Sequence, residues 1–155
     1  MIPKEVFHYT TNCSALKILT GKQLRLGQYG YTNDPRETKE RLFLPTFDTT
    51  NYDYEIGNRI FQEINKIIHN EWKILCVTTN HPKLEAAKSE QEKKEIREAN
   101  PFLSGNARPR MWAQYAENHQ GVCMKLNGEK LDQKIAEQLE ETSTIFCRST
   151  DYSDR

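Results

Sequence analysis

The chain has no apolar run longer than a few residues, against the roughly 20 a helix needs to cross a bilayer, which excludes a transmembrane helix. It also lacks net charge. Its 22 Lys and Arg balance 22 Asp and Glu, so no global field draws it to nucleic acid or anionic lipid, and such a partner would need a local patch. Cysteine is sparse: Cys13, Cys76, Cys123 and Cys147 stand far apart, with no C-x-x-C pair and no histidine at metal-finger spacing. They read as reduced thiols. The N-terminal Met1-Ile2-Pro3-Lys4-Glu5 has no charged leader region, long apolar stretch or small-residue cleavage site, so a soluble, cytoplasmic protein is expected. Catalytic signatures are missing too: there is no Gly-rich phosphate loop, G-x-S-x-G or H-E-x-x-H.

What is present fits a single domain of 155 residues, 36% of them hydrophobic and 10% aromatic. The mean hydropathy of -0.84 is low for a folded chain, which points to an unusually polar segment. Lys83 to Glu98 supplies it, rich in Lys, Glu and Gln and without a continuous apolar stripe, as a surface excursion over about residues 80–106.

Glu5 to Thr10 is β-branched and aromatic and predicts the first strand. Thr11-Asn12 then signals a helix cap, Ala15, Leu16, Ile18 and Leu19 recur at near-helical spacing, and Gly21 stands where a C-terminal glycine belongs. Leu24-Arg25-Leu26 alternates as a strand does, and a helix is expected to start at Asp34-Pro35, with Glu37 completing a capping box. Ile60, Phe61, Ile64, Ile67 and Ile68 form the clearest amphipathic stripe, one that a helix must bury. Lys73 to Thr79 reads as a central strand, followed by a helix carrying Met111, Trp112, Tyr115 and Ala116. A strand over Gly121–Leu126, a helix on Leu131, Ile135 and Leu139, and a strand from Thr144 to Cys147 complete the chain. Cys76, Cys123 and Cys147 fall in strands, where a free thiol packs as a small hydrophobe. Without β-α alternation or repeats, the class is α+β: a mixed, mainly antiparallel sheet with short flanking helices. Because the sequence stops soon after the last strand, a domain incomplete at its C-terminus is expected.

Three ordered blocks carry a resemblance. His8-Tyr9-Thr10 leading into Ala15–Leu19 and Lys22–Leu26, then Asn33-Asp34-Pro35-Arg36-Glu37, then Met111-Trp112-Ala113-Gln114-Tyr115-Ala116 with Asn118-His119-Gln120-Gly121-Val122-Cys123, are similar to a bacterial family, the domain of unknown function 2971. That resemblance implies a role in bacterial conflict or phage defence. The H-Y-T start also looks like ADP-ribosyltransferase folds, which implies NAD as cofactor and an ADP-ribosyltransferase-like fold. On that resemblance His8 would hold a ribose hydroxyl, supported by Thr10, and an aromatic residue would stack on nicotinamide. On the same resemblance, the late glutamate that such enzymes use is expected to be absent from this chain.

The residues themselves leave alternatives open. On its own residues His8 fits a core histidine somewhat better than a ligand to a nucleotide-type small molecule, and the resemblance brings the two readings level. Asn33, Asp34 and Glu37 are explained by capping, yet Asp34 and Glu37, one helical turn apart, also suit acid-base work or a divalent ion in a nuclease or phosphotransferase, with Arg36, Arg108 and Arg110 meeting phosphate. Two carboxylates alone predict no metal site. Trp112 and Tyr115 fit the core best and a base-stacking floor second. His119 reads as a helix-end cap beside Gly121 that also has site potential. A non-catalytic recognition module completed by a partner protein is the alternative of a different class.

Overall fold

The computed structural model describes residues 2–32, 54–139 and 144, and these form two units by backbone contact, residues 1–15 with 77–155 and residues 16–76. Asn33, Asp34 and Glu37, the helix expected to begin there, and the predicted strand beyond Thr144, with Cys147, lie outside the described residues.

The first unit is organised on strand β1 (Glu5–Thr10), which pairs antiparallel with β4 (Val122–Asn127) in the register Glu5 to Asn127 through Thr10 to Val122. Its β-branched and aromatic residues suit a strand contacted on both faces. On the other edge Phe7 exchanges two backbone hydrogen bonds of 2.8 Å with Thr78. Phe7 and Tyr9 share one face and pack with Ala116, Met111, Trp112, Tyr115 and Cys123. The Trp112 ring meets Tyr9 edge-on at 5.2 Å. Trp112 and Tyr115 belong to α5 (Pro109–Tyr115), which begins on a proline whose missing N–H costs the first turn nothing. Both rings pack, partly buried, against that core.

Between α5 and β4, Glu117, Asn118 and His119 are three successive residues with φ of 46°, 52° and 71°. Each is in the left-handed region that an L-residue occupies only at a cost. Hydrogen bonds hold them: His119 N–H donates to Trp112 O at 3.1 Å and Gly121 N–H to Ala116 O at 2.8 Å. Gly121 is required by close approach, since a Cβ there would lie 2.4 Å from Thr10 O. Helix α1 (Asn12–Gly21) starts against this turn. Thr11 caps it by accepting from Ser14 N–H at 3.1 Å, while the Asn12 amide donates to Gln120 O at 2.8 Å.

The predicted polar excursion contains α3 (Pro82–Glu85) and α4 (Glu90–Ala99), the latter capped by Ser89 accepting from Glu92 N–H at 3.1 Å. None of α4's residues is buried, but Leu84, Asn80 and Ser104 are, so parts of this stretch close over the first unit. Helix α6 (Gly128–Leu139) follows β4 directly, as its i, i+4, i+8 spacing predicts.

In the second unit β2 (Gly27–Gln28) pairs with β3 (Lys73–Ile74), and a short 3-10 turn over Tyr29–Tyr31 leads away from β2. The predicted strand at Leu24–Leu26 is displaced to Gly27. The expected central strand over Lys73–Thr79 is divided: Lys73 and Ile74 pair in this unit, whereas Thr78 pairs with β1 in the other. A continuous apolar run can serve two short pairings as well as one long strand. Helix α2 (Tyr54–Glu71) contains the amphipathic stripe, yet only Ile68 of the stripe is buried, and Ile60, Ile64 and Ile67 remain 51%, 39% and 46% exposed. At the end of α1, Lys22 and not Gly21 adopts the left-handed conformation, with φ 52°.

Candidate functional site

Strand alternation decides what the H-Y-T block can do. Tyr9 faces the core with Phe7, which places His8 on the opposite face from the Trp112 ring. His8 and Trp112 therefore do not line one pocket. Tyr9 is an anchor: its hydroxyl donates to Gly105 O at 2.7 Å and accepts from Arg108 N–H at 3.2 Å. Burial pushes its phenol up to about 12. The Cys123 thiol beside it is likewise raised by burial. Thr10 is buried, and His119 lies exposed in the left-handed turn, one residue-type position where a cap had been expected. Arg108 precedes α5 as its cap residue, and Arg110 Nε donates to Gln114 at 3.2 Å along the same helix. Among the described residues no group of three or more His, Cys, Asp or Glu is placed to hold a metal ion.

The Tyr9 hydroxyl shapes a second place on this face. By holding Gly105 O, which also accepts from Thr78 Oγ1 at 2.6 Å, it draws the 104–107 segment down on Phe7. Gly105 permits this, since a Cβ there would be 2.3 Å from Phe7 Cδ2. Above Phe7 an open cavity of about 330 Å³ remains, with Glu5 and Lys125 from β1 and β4, Arg97 from α4, and Ser104 and Asn106 from the loop on its walls.

The charges in this cavity are unequally committed. Lys125 Nζ donates to Glu5 Oε1 at 3.0 Å, and that bond holds the Glu5 carboxyl below its usual range. Asn80, also on the wall, donates to Glu85 at 2.7 Å and to Glu5 at 3.4 Å, and accepts from Gly105 N–H at 3.0 Å, so both of its N–H donors are committed. Arg97 makes no ion pair among the described residues. Ser104 is 7% exposed, and its hydroxyl has no hydrogen-bond partner among the described residues. A planar guanidinium, a spare hydroxyl and an amide around a concave space are the groups that recognise an oxyanion.

Sequence reasoning missed this site because its members come from five separated segments. Arg97 sits in the polar run that reads as solvated, and Ser104 in a loop between prolines. Neither position carries a periodic or motif signal.

The geometry of the third block coincides with a finding from comparison. Residues 111–155 match the family described as protein of unknown function (DUF2971). The matched segment contains the core rings of α5, the left-handed turn, Gly121 and β4, which carries Lys125 of the cavity. The first two blocks of the sequence resemblance lie outside it. Neither a curated protein nor a solved structure matches the chain. The ADP-ribosyltransferase expectation therefore rests on the sequence blocks alone. Among the described residues no helix is long and apolar enough to cross a membrane.

Proposed function

We propose that this chain is a DUF2971 protein whose first unit is a small-molecule-binding module, taking a ligand that presents an oxyanion to Arg97. The observation that carries this reading is the cavity whose walls bring together the Arg97 guanidinium, which makes no ion pair among the described residues, and the Ser104 and Asn106 side chains. A guanidinium without an ionic partner offers a ligand's oxyanion a planar fork of donors, which gives charge-assisted hydrogen bonds.

At about 330 Å³ the cavity is at the small end of the range for ligand sites, roughly 300–1,000 Å³. It suits a compact ligand better than a whole dinucleotide. NAD, which the family resemblance implies, remains a ligand to titrate, but ADP-ribosyl transfer is not part of this proposal. The rings that would floor a nicotinamide site, Trp112 and Tyr115, pack partly buried against the Phe7–Tyr9 core.

The test is calorimetric titration of the chain with benzoate, phosphate, AMP and NAD. At least one is expected to bind saturably, and Arg97→Gln, on an exposed helix face, is expected to weaken it tenfold or more. Saturable binding unaffected by Arg97→Gln, or no binding by any of the four, would overturn the reading.

A further inference from the structure

The charge count inside the cavity narrows the ligand class further. Arg97 and Lys125 contribute two positive charges, and Glu5 one negative charge from the same wall. Glu5 is bonded to Lys125 at 3.0 Å, so one of the two cations is already answered by ion pairing and the other is not. The neighbouring charges add no net cation: Lys93 and Glu90 pair with each other at 2.8 Å, the one acting on Glu5 and the other on Arg97 through space, and Glu85 accepts from Asn80 at 2.7 Å. A second negative charge on a ligand would meet Glu5 without a cation to offset it.

We infer that the cavity is matched to a single carboxylate and that Glu5 is the residue that sets this specificity, against phosphate dianions and polyphosphates. This inference rests on the oxyanion reading of the same cavity. Arg97 offers the planar fork that pairs with a carboxylate through two parallel hydrogen bonds, and the Ser104 hydroxyl and Asn106 amide lie on the same walls to bond further oxygens. The Phe7 ring and the neighbouring loop give the carbon skeleton an apolar wall. The ligand class is thus a small monocarboxylic acid, or the carboxylate end of a larger molecule.

Benzoate and phenyl phosphate share a ring and differ by one charge at pH 7.5, which isolates the claim. The wild-type chain is expected to bind benzoate more tightly. Glu5→Gln keeps the size and polarity of the side chain and removes its charge, and is expected to move the preference toward phenyl phosphate by about tenfold. Adding Lys125→Gln to that variant restores a single net positive charge and is expected to restore the benzoate preference, a reversal that a general loss of folding would not produce. A wild-type preference for phenyl phosphate, or a ratio unmoved by Glu5→Gln, overturns the inference while leaving the oxyanion site standing. Failure of both ligands to bind the wild-type chain overturns the inference and, if phosphate, AMP and NAD fail as well, the site.

Discussion

Replacing Tyr9 by phenylalanine removes one oxygen from the centre of the first unit and leaves the ring packing with Trp112 in place. That oxygen donates to Gly105 O at 2.7 Å and accepts from Arg108 N–H at 3.2 Å. Gly105 O keeps its bond from Thr78, so the main loss is at Arg108, whose N–H is left without an acceptor in a half-buried place. Each intramolecular bond contributes about 1 kcal/mol net, and an orphaned buried donor costs about 1–3 kcal/mol, so Tyr9→Phe is expected to destabilise by about 2 kcal/mol. Urea unfolding should show a lower midpoint with an unchanged slope. The same oxygen gives a pH signature. Its pKa rises from 10.0 to about 12 on folding, so the stabilisation it provides is whole below pH 10 and is lost as pH climbs through about 12. The difference between wild type and Tyr9→Phe should therefore shrink over that window. A variant within about 0.5 kcal/mol of wild type at neutral pH, or a difference that stays constant to pH 12, would refute the anchoring role.

Two further predictions concern the backbone. Gly121→Ala places a Cβ 2.4 Å from Thr10 O and 2.7 Å from Ala116 Cα, both backbone atoms that cannot yield, and is expected to cost about 3 kcal/mol or more in thermal or urea unfolding. A well-folded Gly121→Ala protein would contradict the close approach of the turn to β1. Lys22→Gly relieves a left-handed residue at the end of α1 and is expected to stabilise by about 0.5–1 kcal/mol, read as a higher urea midpoint. A lower midpoint would place the strain elsewhere.

Elements with a strong local pattern were legible in the sequence, and those defined by partners were not. β1 was readable from the alternation and β-branching of Glu5 to Thr10, α2 from its isoleucine period, and α5 and β4 from the block that runs from Met111 to Cys123. The run from Lys73 to Thr79 looked like one strand because hydrophobicity reports burial and not which edge a residue pairs with. Gly21 was the natural choice for a left-handed helix end, yet the chain turns one residue later, at Lys22. His119 could be located near the α5 end, but three successive left-handed residues have no signature in their side chains beyond Asn118, whose type tolerates that region. The aromatic residues of the expected pocket were easy to find and were assigned two readings. Packing on the Tyr9 face supports the structural one. The cavity was illegible because it is assembled by tertiary contact: Glu5 and Lys125 stand 120 residues apart, and the loop that carries Ser104 reaches them only through Gly105 and Tyr9.

The measurement that tests the account most directly is an amide-resolved NMR titration of the chain with benzoate, run in parallel on Arg97→Gln. Saturable shifts centred on Phe7, Ser104, Asn106 and Lys125 in the wild-type chain, lost or weakened at least tenfold in the variant, are the predicted result. Shifts that gather instead around His8 or His119, or that persist unchanged without the Arg97 guanidinium, would contradict it.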